Sequence, residues 1–325
     1  MIGKVKDVAG ARRSPRPSSA RATAPSAWVL ALAVLLGACG GQVAVPTTAA
    51  PPATSPPAPS RLEVEGPGRY DGEVLSEGRR RYFVLVVPES APPPAPVVIV
   101  FHGFMGNARE VEELTGMTTV AEEEGFLVVY PEGAGLPRSW RSDPRRGDRD
   151  VVFVRELVGL LADAVEIDEE RIYVAGMSNG GGMAARLACD ASDLVAAAGA
   201  VAAAYPVGEC APGRPVPVVA FHGTADPIVP YEGWGLLLPS VEDWARGWAG
   251  RNGCAADPVE EAVAPDVARV AWGDCEAGAD VTLYTVEGGR HGWPGAGRHT
   301  FWGGSTDSVD ASALLWQFFV AHPMP

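Results

Sequence analysis

From residue 62 onward, short runs of consecutive apolar residues alternate with amphipathic stretches, and this alternation restricts the fold more than any other feature. Runs such as 97–101 and 216–221 suit strands that are buried on both faces, as in a parallel sheet. The stretches between several of these runs carry apolar residues at helical spacing. The pattern predicts an α/β fold in a single domain, with a mostly parallel central sheet and helices on both faces. Predicted strands are 82–87, 97–101, 126–130, 172–175, part of 194–203, 216–221 and 281–286, and predicted helices are 151–164, 240–251 and 308–321.

The first 39 residues have the pattern of a targeting segment. A basic stretch precedes the apolar run 28–36, which is too short for a membrane-spanning helix of about 20 residues but suits the core of a signal peptide. Leu36-Gly37-Ala38-Cys39 resembles a bacterial lipobox, in which the cysteine is lipidated and becomes the new N-terminus. The alternative is an ordinary signal peptide cleaved near Ala38, which would leave Cys39 as a free thiol.

Residues 40–61 are predicted to be a linker between the signal peptide and a catalytic domain at 62–325. The segment 41–60 contains six prolines and no charged residue. Such a segment buries too little apolar surface to repay its ordering entropy, and proline keeps it extended. The linker is therefore expected to hold a folded domain away from a membrane.

The charge of the chain argues against nucleic acid as a partner. Its formal net charge is −14, and the first 38 residues hold six of its basic groups and only one acid. The remainder carries 20 basic against 39 acidic groups, so phosphate backbones and anionic lipid surfaces would repel it. Contact with a membrane is expected through the lipid anchor only.

Four cysteines remain after Cys39, and the residues alone leave their pairing open. They are Cys189, Cys210, Cys254 and Cys275, which allow three sets of disulfides. Export makes oxidation plausible, and the local pairing would join cysteines 21 positions apart. The competing interpretation is a zinc site, but the chain has no closely spaced cysteine pair of the usual kind.

Gly176-Met177-Ser178-Asn179-Gly180 has the pattern G-x-S-x-G between a predicted strand and a helix-forming stretch. In this pattern the serine occupies a sharp, strained turn, so bulky side chains two positions before and after it are excluded. The following helix N-terminus favours developing negative charge. Ser178 is therefore the predicted nucleophile, and a glycine-rich structural turn is the alternative.

A serine nucleophile needs a base and an acid, which follow it in the order Ser, Asp or Glu, His in this kind of fold. His291 lies in a glycine-rich loop directly after the last predicted strand, so it is the predicted base, ahead of His299 and His322. Asp226 lies in the turn after strand 216–221 and is the predicted acid, with turn capping as the alternative. Asp193 follows too soon after the nucleophile helix, and Asp257, Asp266, Asp274 and Asp280 lie in or beside a polar stretch bracketed by cysteines.

Acyl transfer also requires backbone N–H groups that point at the oxyanion. The amide of Asn179, directly after the nucleophile, is the first predicted donor. The second is expected in the turn after strand 97–101. Phe104 is the preferred residue there, followed by Met105, and His102 is expected to be structural.

With these motifs the chain resembles the polyhydroxybutyrate depolymerase and feruloyl esterase family of α/β-hydrolases, which includes lipoprotein members from actinobacteria. The resemblance covers about residues 70–323. It rests on the His102-Gly103 turn, on segments 116–133 and 150–154, and on RIYVAGMSNGGGMA at 171–184. It continues through FHGTADPIVPY at 221–231, EGGRHGWPG at 287–295 and WQFFVAHP at 316–323.

The resemblance implies triad roles for Ser178, Asp226 and His291, and two local disulfides, Cys189–Cys210 and Cys254–Cys275. It implies that Trp293 lines the substrate pocket. Trp140 is a second candidate for this role, with buried packing as the alternative. The implied activity is the two-step hydrolysis of a small or polymer-linked ester, with no metal or organic cofactor. The implied acyl groups are feruloyl or acetyl groups or hydroxyalkanoate oligomers, and a monomer is expected. A serine peptidase of the same fold and a non-catalytic envelope lipoprotein are the alternatives.

Overall fold

The computed structural model describes residue 60 and residues 62–208, 210–255, 257–296 and 304–325. The predicted α/β-hydrolase architecture is confirmed, since these ranges form one ten-stranded sheet with helices on both faces. The predicted signal peptide, Cys39 and almost all of the predicted linker lie outside the described residues. The strands are β1 (Gly68–Ser76), β2 (Arg79–Val87), β3 (Ala95–Phe101), β4 (Leu127–Pro131), β5 (Ile167–Met177), β6 (Ala197–Val201), β7 (Val218–Gly223), β8 (Val259–Ala264), β9 (Val267–Trp272) and β10 (Val281–Val286). The helices are α1 (Ala108–Thr115), α2 (Met117–Glu124), α3 (Arg149–Ala164), α4 (Asn179–Asp190), α5 (Val241–Arg251) and α6 (Ala311–Val320).

The strand order is β1-β2-β4-β3-β5-β6-β7-β10-β9-β8. The six strands from β4 to β10 in this order are parallel, while β1 and β2 at one edge and β9 and β8 at the other are antiparallel to their neighbours. All seven predicted strands are present in the sheet. Strands β1, β8 and β9 were not predicted, because their polar, partly exposed sequences lack the apolar signal of the buried strands.

The continuously apolar strands are apolar because both faces of the sheet are buried. In β3, Val97, Ile99 and Phe101 pack with α3, α4 and α5 on one face. Val98 and Val100 pack with α1, α2 and α6 on the other face. Two cores therefore hold the sheet, one on each side, and the carboxyl ends of its parallel strands lie along a common edge.

Helix α5 begins where the sequence predicted. The side chain of Ser240 accepts a hydrogen bond from the backbone N–H of Asp243 at 3.1 Å, which satisfies one of the unpaired donors at the helix start. Helices α1 and α2 were not predicted, since each has only eight residues and a short apolar stripe. None of the helices in the described ranges is long and apolar enough to cross a bilayer.

The two disulfides implied by the resemblance are present. Cys189 pairs with Cys210, and Cys254 pairs with Cys275. The first bridge attaches the segment after β6 to the end of α4, and the second attaches the loop after β9 to the end of α5. Each bridge therefore fixes a loop next to a helix of the same face of the sheet.

Candidate active site

Ser178 lies in the sharp turn between β5 and α4. Its backbone has φ 54° and ψ −122°, a combination that an L-residue adopts only under strain. The flanking glycines are required by close backbone contacts. A Cβ at Gly176 would lie 2.5 Å from the carbonyl carbon of Gly180, and one at Gly180 would lie 2.1 Å from the carbonyl oxygen of Phe101. The structure therefore has the geometry that the G-x-S-x-G pattern predicted.

Asp226 and His291 are in direct contact. Asp226 follows β7, His291 follows β10, and Nδ1 of His291 lies 2.8 Å from Oδ2 of Asp226. The other carboxylate oxygen of Asp226 accepts the backbone N–H groups of Ile228 and Val229 at 2.8 and 3.0 Å. Both side chains are buried, with 5% and 3% of their surface exposed. The carboxylate is thus held by its own turn and presents one oxygen to the imidazole.

The pKa of the Asp226 carboxyl is well below its usual range. Burial by itself raises this pKa, but hydrogen bonds from His222 and His291 and the charge of His291 lower it by more. Asp226 is therefore ionised at neutral pH. An ionised carboxylate at this distance holds the proton of the neutral imidazole on Nδ1, which leaves Nε2 as the free base nitrogen.

The loops that carry Ser178, Asp226 and His291 follow strands that run in parallel, so they emerge at the same edge of the sheet. The loops that carry Asp226 and His291 are joined by a backbone hydrogen bond from the N–H of Ala225 to the carbonyl of Gly289, 2.9 Å long. Two other histidines were candidates for the base. His322 contacts Phe318 and Asp280, and His299 lies outside the described residues.

Tyr205 contacts this edge and was not identified from the sequence. It follows β6, the strand between those that carry Ser178 and Asp226, and its side chain lies close enough to the Ser178 side chain to influence the pKa of the phenol. Burial raises the pKa of the Tyr205 phenol, the Ser178 contact lowers it and the charge of Asp226 raises it. The only signal in the sequence was that residues 202–206 follow a strand of the same sheet.

His222 is a second neighbour of Asp226 that the sequence did not assign. Its Nε2 lies 2.8 Å from the carbonyl oxygen of Val229 and 3.4 Å from Oδ2 of Asp226. Both of these atoms are acceptors, so Nε2 carries a proton and donates. His222 therefore supports the same carboxylate oxygen that His291 contacts, which is a positioning role.

The turn after β3 packs against the serine turn. A Cβ at Gly103 would lie 3.7 Å from Cβ of Ser178. The N–H of Met105 donates to the carbonyl of Arg138 at 2.9 Å and is thereby occupied. Within the described residues no hydrogen bond is seen for the N–H of Phe104, so of the two predicted positions Phe104 retains a free donor.

His102 is a structural residue, as expected from the sequence. Its Nδ1 lies 2.7 Å from the carbonyl oxygen of Gly103, and its Nε2 accepts the N–H of Gly133 at 2.9 Å. One nitrogen donates and the other accepts, so the ring is neutral. The pKa of His102 is lowered to about 4 in total. Burial is the main cause, the hydrogen bond to the Gly103 carbonyl opposes it, and the charges of Arg138 and Arg81 add to it.

The side chain of Asn179 connects the nucleophile turn to segment 140–142. Its Oδ1 accepts the N–H of Trp140 at 2.7 Å, and its Nδ2 donates to the carbonyl of Trp140 at 3.0 Å and to Oγ of Ser142 at 3.2 Å. These three bonds fix the first residue of α4 and therefore the direction of its backbone amide.

The two tryptophans predicted to line a substrate pocket are buried. Trp140 is 0% exposed and its indole N–H donates to the carbonyl of His102 at 3.0 Å. Trp293 is 1% exposed and donates to Oγ of Ser312 at 3.1 Å. This burial corrects the expectation of substrate contact for Trp293 and matches the packing alternative for Trp140, since neither ring offers surface to a ligand. Trp140 instead packs against Phe101 and Phe153, and Trp293 belongs to the core on the α6 face of the sheet.

Sequence comparison relates the chain to esterases. The pattern of the family described as "Esterase PHB depolymerase" matches residues 81–228. The protein named "Putative esterase NocK" of Nocardia uniformis subsp. tsuyamanensis is 32% identical over 82% of this chain and 89% of its own length. Feruloyl esterase B of Piromyces equi is 31% identical over 61% of this chain, which spans only 39% of that larger protein. Feruloyl esterase D of Neurospora crassa is 27% identical over 74% of this chain and 84% of its own length.

Comparison of folds gives the same class. The acetyl xylan esterase from Aspergillus awamori superposes with a TM-score of 0.56 and 17% identity, covering 69% of this chain and 94% of that one. At this level of identity the likeness concerns the fold alone.

Proposed function

The chain belongs to the esterase PHB depolymerase family and is a carboxylic ester hydrolase, and from that premise we propose that Ser178, His291 and Asp226 form its catalytic triad. The observation that carries the proposal is the 2.8 Å contact between Nδ1 of His291 and Oδ2 of Asp226. This contact keeps Nε2 of the imidazole free to accept a proton, at the sheet edge where the Ser178 turn also lies.

In the first step, Nε2 of His291 takes the proton of the Ser178 hydroxyl as Oγ attacks the ester carbonyl carbon. The new bond joins Oγ to that carbon, and the carbonyl electrons move to its oxygen. When the intermediate collapses, the bond to the alcohol oxygen breaks and His291 returns the proton to the leaving alcohol. Water then repeats the sequence on the acyl-serine and releases the acid, while Asp226 stabilises the imidazolium in both steps.

The negative oxygen of each tetrahedral intermediate is held by the backbone N–H groups of Asn179 and Phe104. Two features support this assignment. The Met105 amide is already bonded to Arg138, which leaves Phe104 as the donor of that turn. The amide of Asn179 is fixed by the contacts of its side chain with Trp140 and Ser142. Loss of one such donor typically costs about 3 kcal/mol of transition-state stabilisation.

The proposed substrates are feruloyl or acetyl esters of plant polysaccharides, or oligomers of hydroxyalkanoates. The names of the relatives support the first two, since the chain resembles feruloyl esterases B and D and a bifunctional acetylxylan esterase/xylanase of Neocallimastix patriciarum. Rates on methyl ferulate, acetylated xylan and hydroxybutyrate oligomers would rank these classes.

We also propose that the protein is exported and held at the outer face of the cytoplasmic membrane by a lipid on Cys39. The two disulfides support export, because such bonds persist in oxidising compartments. The segment Leu36-Gly37-Ala38-Cys39 supports lipidation. Metabolic labelling with a fatty acid should mark the wild-type chain and not Cys39→Ala, and an unlabelled wild-type chain would refute the anchor.

The proposed chemistry is tested by the hydrolysis of para-nitrophenyl butyrate. Ser178→Ala should lower kcat/KM by a factor on the order of 10⁶, because the nucleophile of a triad is removed. Ser90→Ala, which changes an exposed serine after β2, is the matched control and should retain the wild-type rate. A Ser178→Ala variant with the wild-type rate would show that another residue is the nucleophile.

A further inference from the structure

A cleft of about 260 Å³ next to the Phe104 turn is lined by a group of arginines. Its walls include Arg79, Arg141, Arg146 and Arg149, together with Phe104 and the buried carboxylate of Asp150. We call this the arginine cleft. It is unusual for this protein, because the chain as a whole has a net charge of −14.

Two acids at the arginine cleft, Asp150 and Glu77, are already paired with arginines. Oδ1 of Asp150 accepts a hydrogen bond from the guanidinium of Arg81 at 2.8 Å. Its Oδ2 accepts one from the backbone N–H of Arg141, also at 2.8 Å. Glu77 pairs with Arg149 at 2.7 Å. Within the described residues, no ion pair is seen for the side chains of Arg79, Arg141 or Arg146. The cleft therefore holds an excess of positive charge.

The guanidinium groups are close enough to affect one another. Burial lowers the pKa of Arg81, Asp150 raises it, and the charges of Arg141 and Arg149 lower it further. Arg81 is fixed below the cleft, with its guanidinium 3.9 Å from the ring centre of Phe153. Like charges gathered on a rigid base cost free energy unless an anion neutralises them.

The arginine cleft shares two structural parts with the proposed active site. Phe104 lines the cleft and follows Gly103, whose Cβ position lies 3.7 Å from Cβ of Ser178. Arg141 lies between Trp140 and Ser142, the two residues that Asn179 contacts. Phe104 is 57% exposed, so its ring offers apolar surface next to the arginines of the cleft.

From this placement we propose that the arginine cleft binds a carboxylate carried by the ester substrate, next to the ester group that Ser178 attacks. The inference rests on the proposed function of that site. A guanidinium matches a carboxylate through two parallel N–H···O bonds, and several of them can share one anion. Natural substrates of this kind are esters of acidic polysaccharides or monoesters of dicarboxylic acids.

The test compares pairs of esters that differ only in a negative charge. Mono-para-nitrophenyl glutarate against its methyl ester places the charge on the acyl side, and para-acetoxybenzoate against its methyl ester places it on the alcohol side. The variants are Arg141→Gln, Arg146→Gln and their combination. Arg145→Gln is the matched control, because Arg145 pairs with Asp143 on the surface and does not line the cleft.

The quantity measured is the ratio of kcat/KM for the charged ester to that for its neutral partner. In at least one pair, each single variant should lower this ratio about tenfold and the combination should lower it further, since each removes a hydrogen bond to a charged group. The control should keep the wild-type ratio. Raising the salt concentration should lower the wild-type ratio more than that of the combined variant.

An unchanged ratio in the combined variant, for both pairs, would overturn the proposal. So would an equal loss in Arg145→Gln, which would show a general effect of surface charge. Hydrolysis of the neutral esters separates this inference from the proposed function. If the wild-type protein cleaves the neutral esters and the ratios are unchanged in the variants, carboxylate binding in the arginine cleft is refuted, while the proposed triad is not.

Discussion

Nδ1 of His291 lies 2.8 Å from Oδ2 of Asp226, although 65 positions separate the two residues in the chain. The parallel strands β7 and β10, which are adjacent in the sheet, bring them together. This contact determines which imidazole nitrogen carries the proton, and the proposed chemistry depends on that choice.

Replacing Asp226 by Asn should impair catalysis far more than substrate binding. The amide can present its N–H₂ to Nδ1, which would place the imidazole proton on Nε2, the wrong nitrogen for a base. A loss of kcat on the order of 10⁴ is expected, as for other triads. Asp193→Asn, an exposed aspartate after α4, is the control. Steady-state kinetics on para-nitrophenyl butyrate measures both, and a loss of less than tenfold in Asp226→Asn would contradict the assigned role.

The strained backbone of Ser178 should be visible in stability measurements. Its φ of 54° and ψ of −122° suit glycine better than any residue with a Cβ. Ser178→Gly should therefore have a higher free energy of unfolding than Ser178→Ala, by about 1 kcal/mol. Both variants lack the hydroxyl, so urea titration of the pair isolates the backbone effect. Equal stability would mean that the turn is not strained.

The stability of the fold should fall as the pH drops from 6.5 to about 4, because of His102. Its pKa is lowered in the folded state, so the unfolded chain binds a proton first as the pH falls. The stabilisation is fully present above the unfolded pKa. As the pH falls from there to the folded pKa, the free energy of unfolding decreases by about 3 kcal/mol in total. His102→Gln, which can still accept the N–H of Gly133, should show a smaller fall in urea titrations across this range. A wild-type slope that the variant retains in full would exclude His102 as the cause.

Asn179 should matter through its side chain as well as its backbone. Asn179→Ala leaves the N–H and carbonyl of Trp140 without partners, which should cost about 2 kcal/mol of folding stability. It should also lower kcat, since the amide of residue 179 loses its fixed direction. Asn179→Asp keeps the acceptor for the Trp140 N–H and should have an intermediate stability. If Asn179→Ala has wild-type kcat, the Trp140 contact does not position the oxyanion donor.

Each disulfide should stabilise the fold separately. Both bridges close loops with a sequence separation of 21, for which the loss of chain entropy in the unfolded state gives roughly 3 kcal/mol. The paired variants Cys189→Ala/Cys210→Ala and Cys254→Ala/Cys275→Ala should each show that loss in urea titrations. A double variant as stable as the wild type would mean that its bridge does not constrain the chain.

The sequence predicted the elements whose signal is local. Seven strands could be identified because they are buried on both faces, and the Ser240 cap because its partner is three residues away. The turn at Ser178 was predicted because its glycines, which close backbone contacts require, belong to one short motif. The edge strands β1 and β8, and β9 next to β8, were not predicted, because backbone pairing leaves little trace in a half-exposed sequence.

The neighbours of the predicted triad could not be read from the sequence, because they depend on contacts between distant segments. Tyr205 reaches Ser178 only because β6 lies between β5 and β7. The two tryptophans were assigned to a pocket through the family resemblance, which does not reveal whether a ring is exposed. Packing in the core uses the same apolar character, and burial distinguishes the two roles.

The central claim, that Ser178 is the nucleophile of a triad with His291 and Asp226, is tested most directly by covalent labelling. Protein treated with a fluorophosphonate is digested, and the modified peptide is identified by mass spectrometry. A single phosphonylated site is expected at Ser178, and this site should label slowly in His291→Ala. A label on another residue, or equally fast labelling of Ser178 without His291, would contradict the claim.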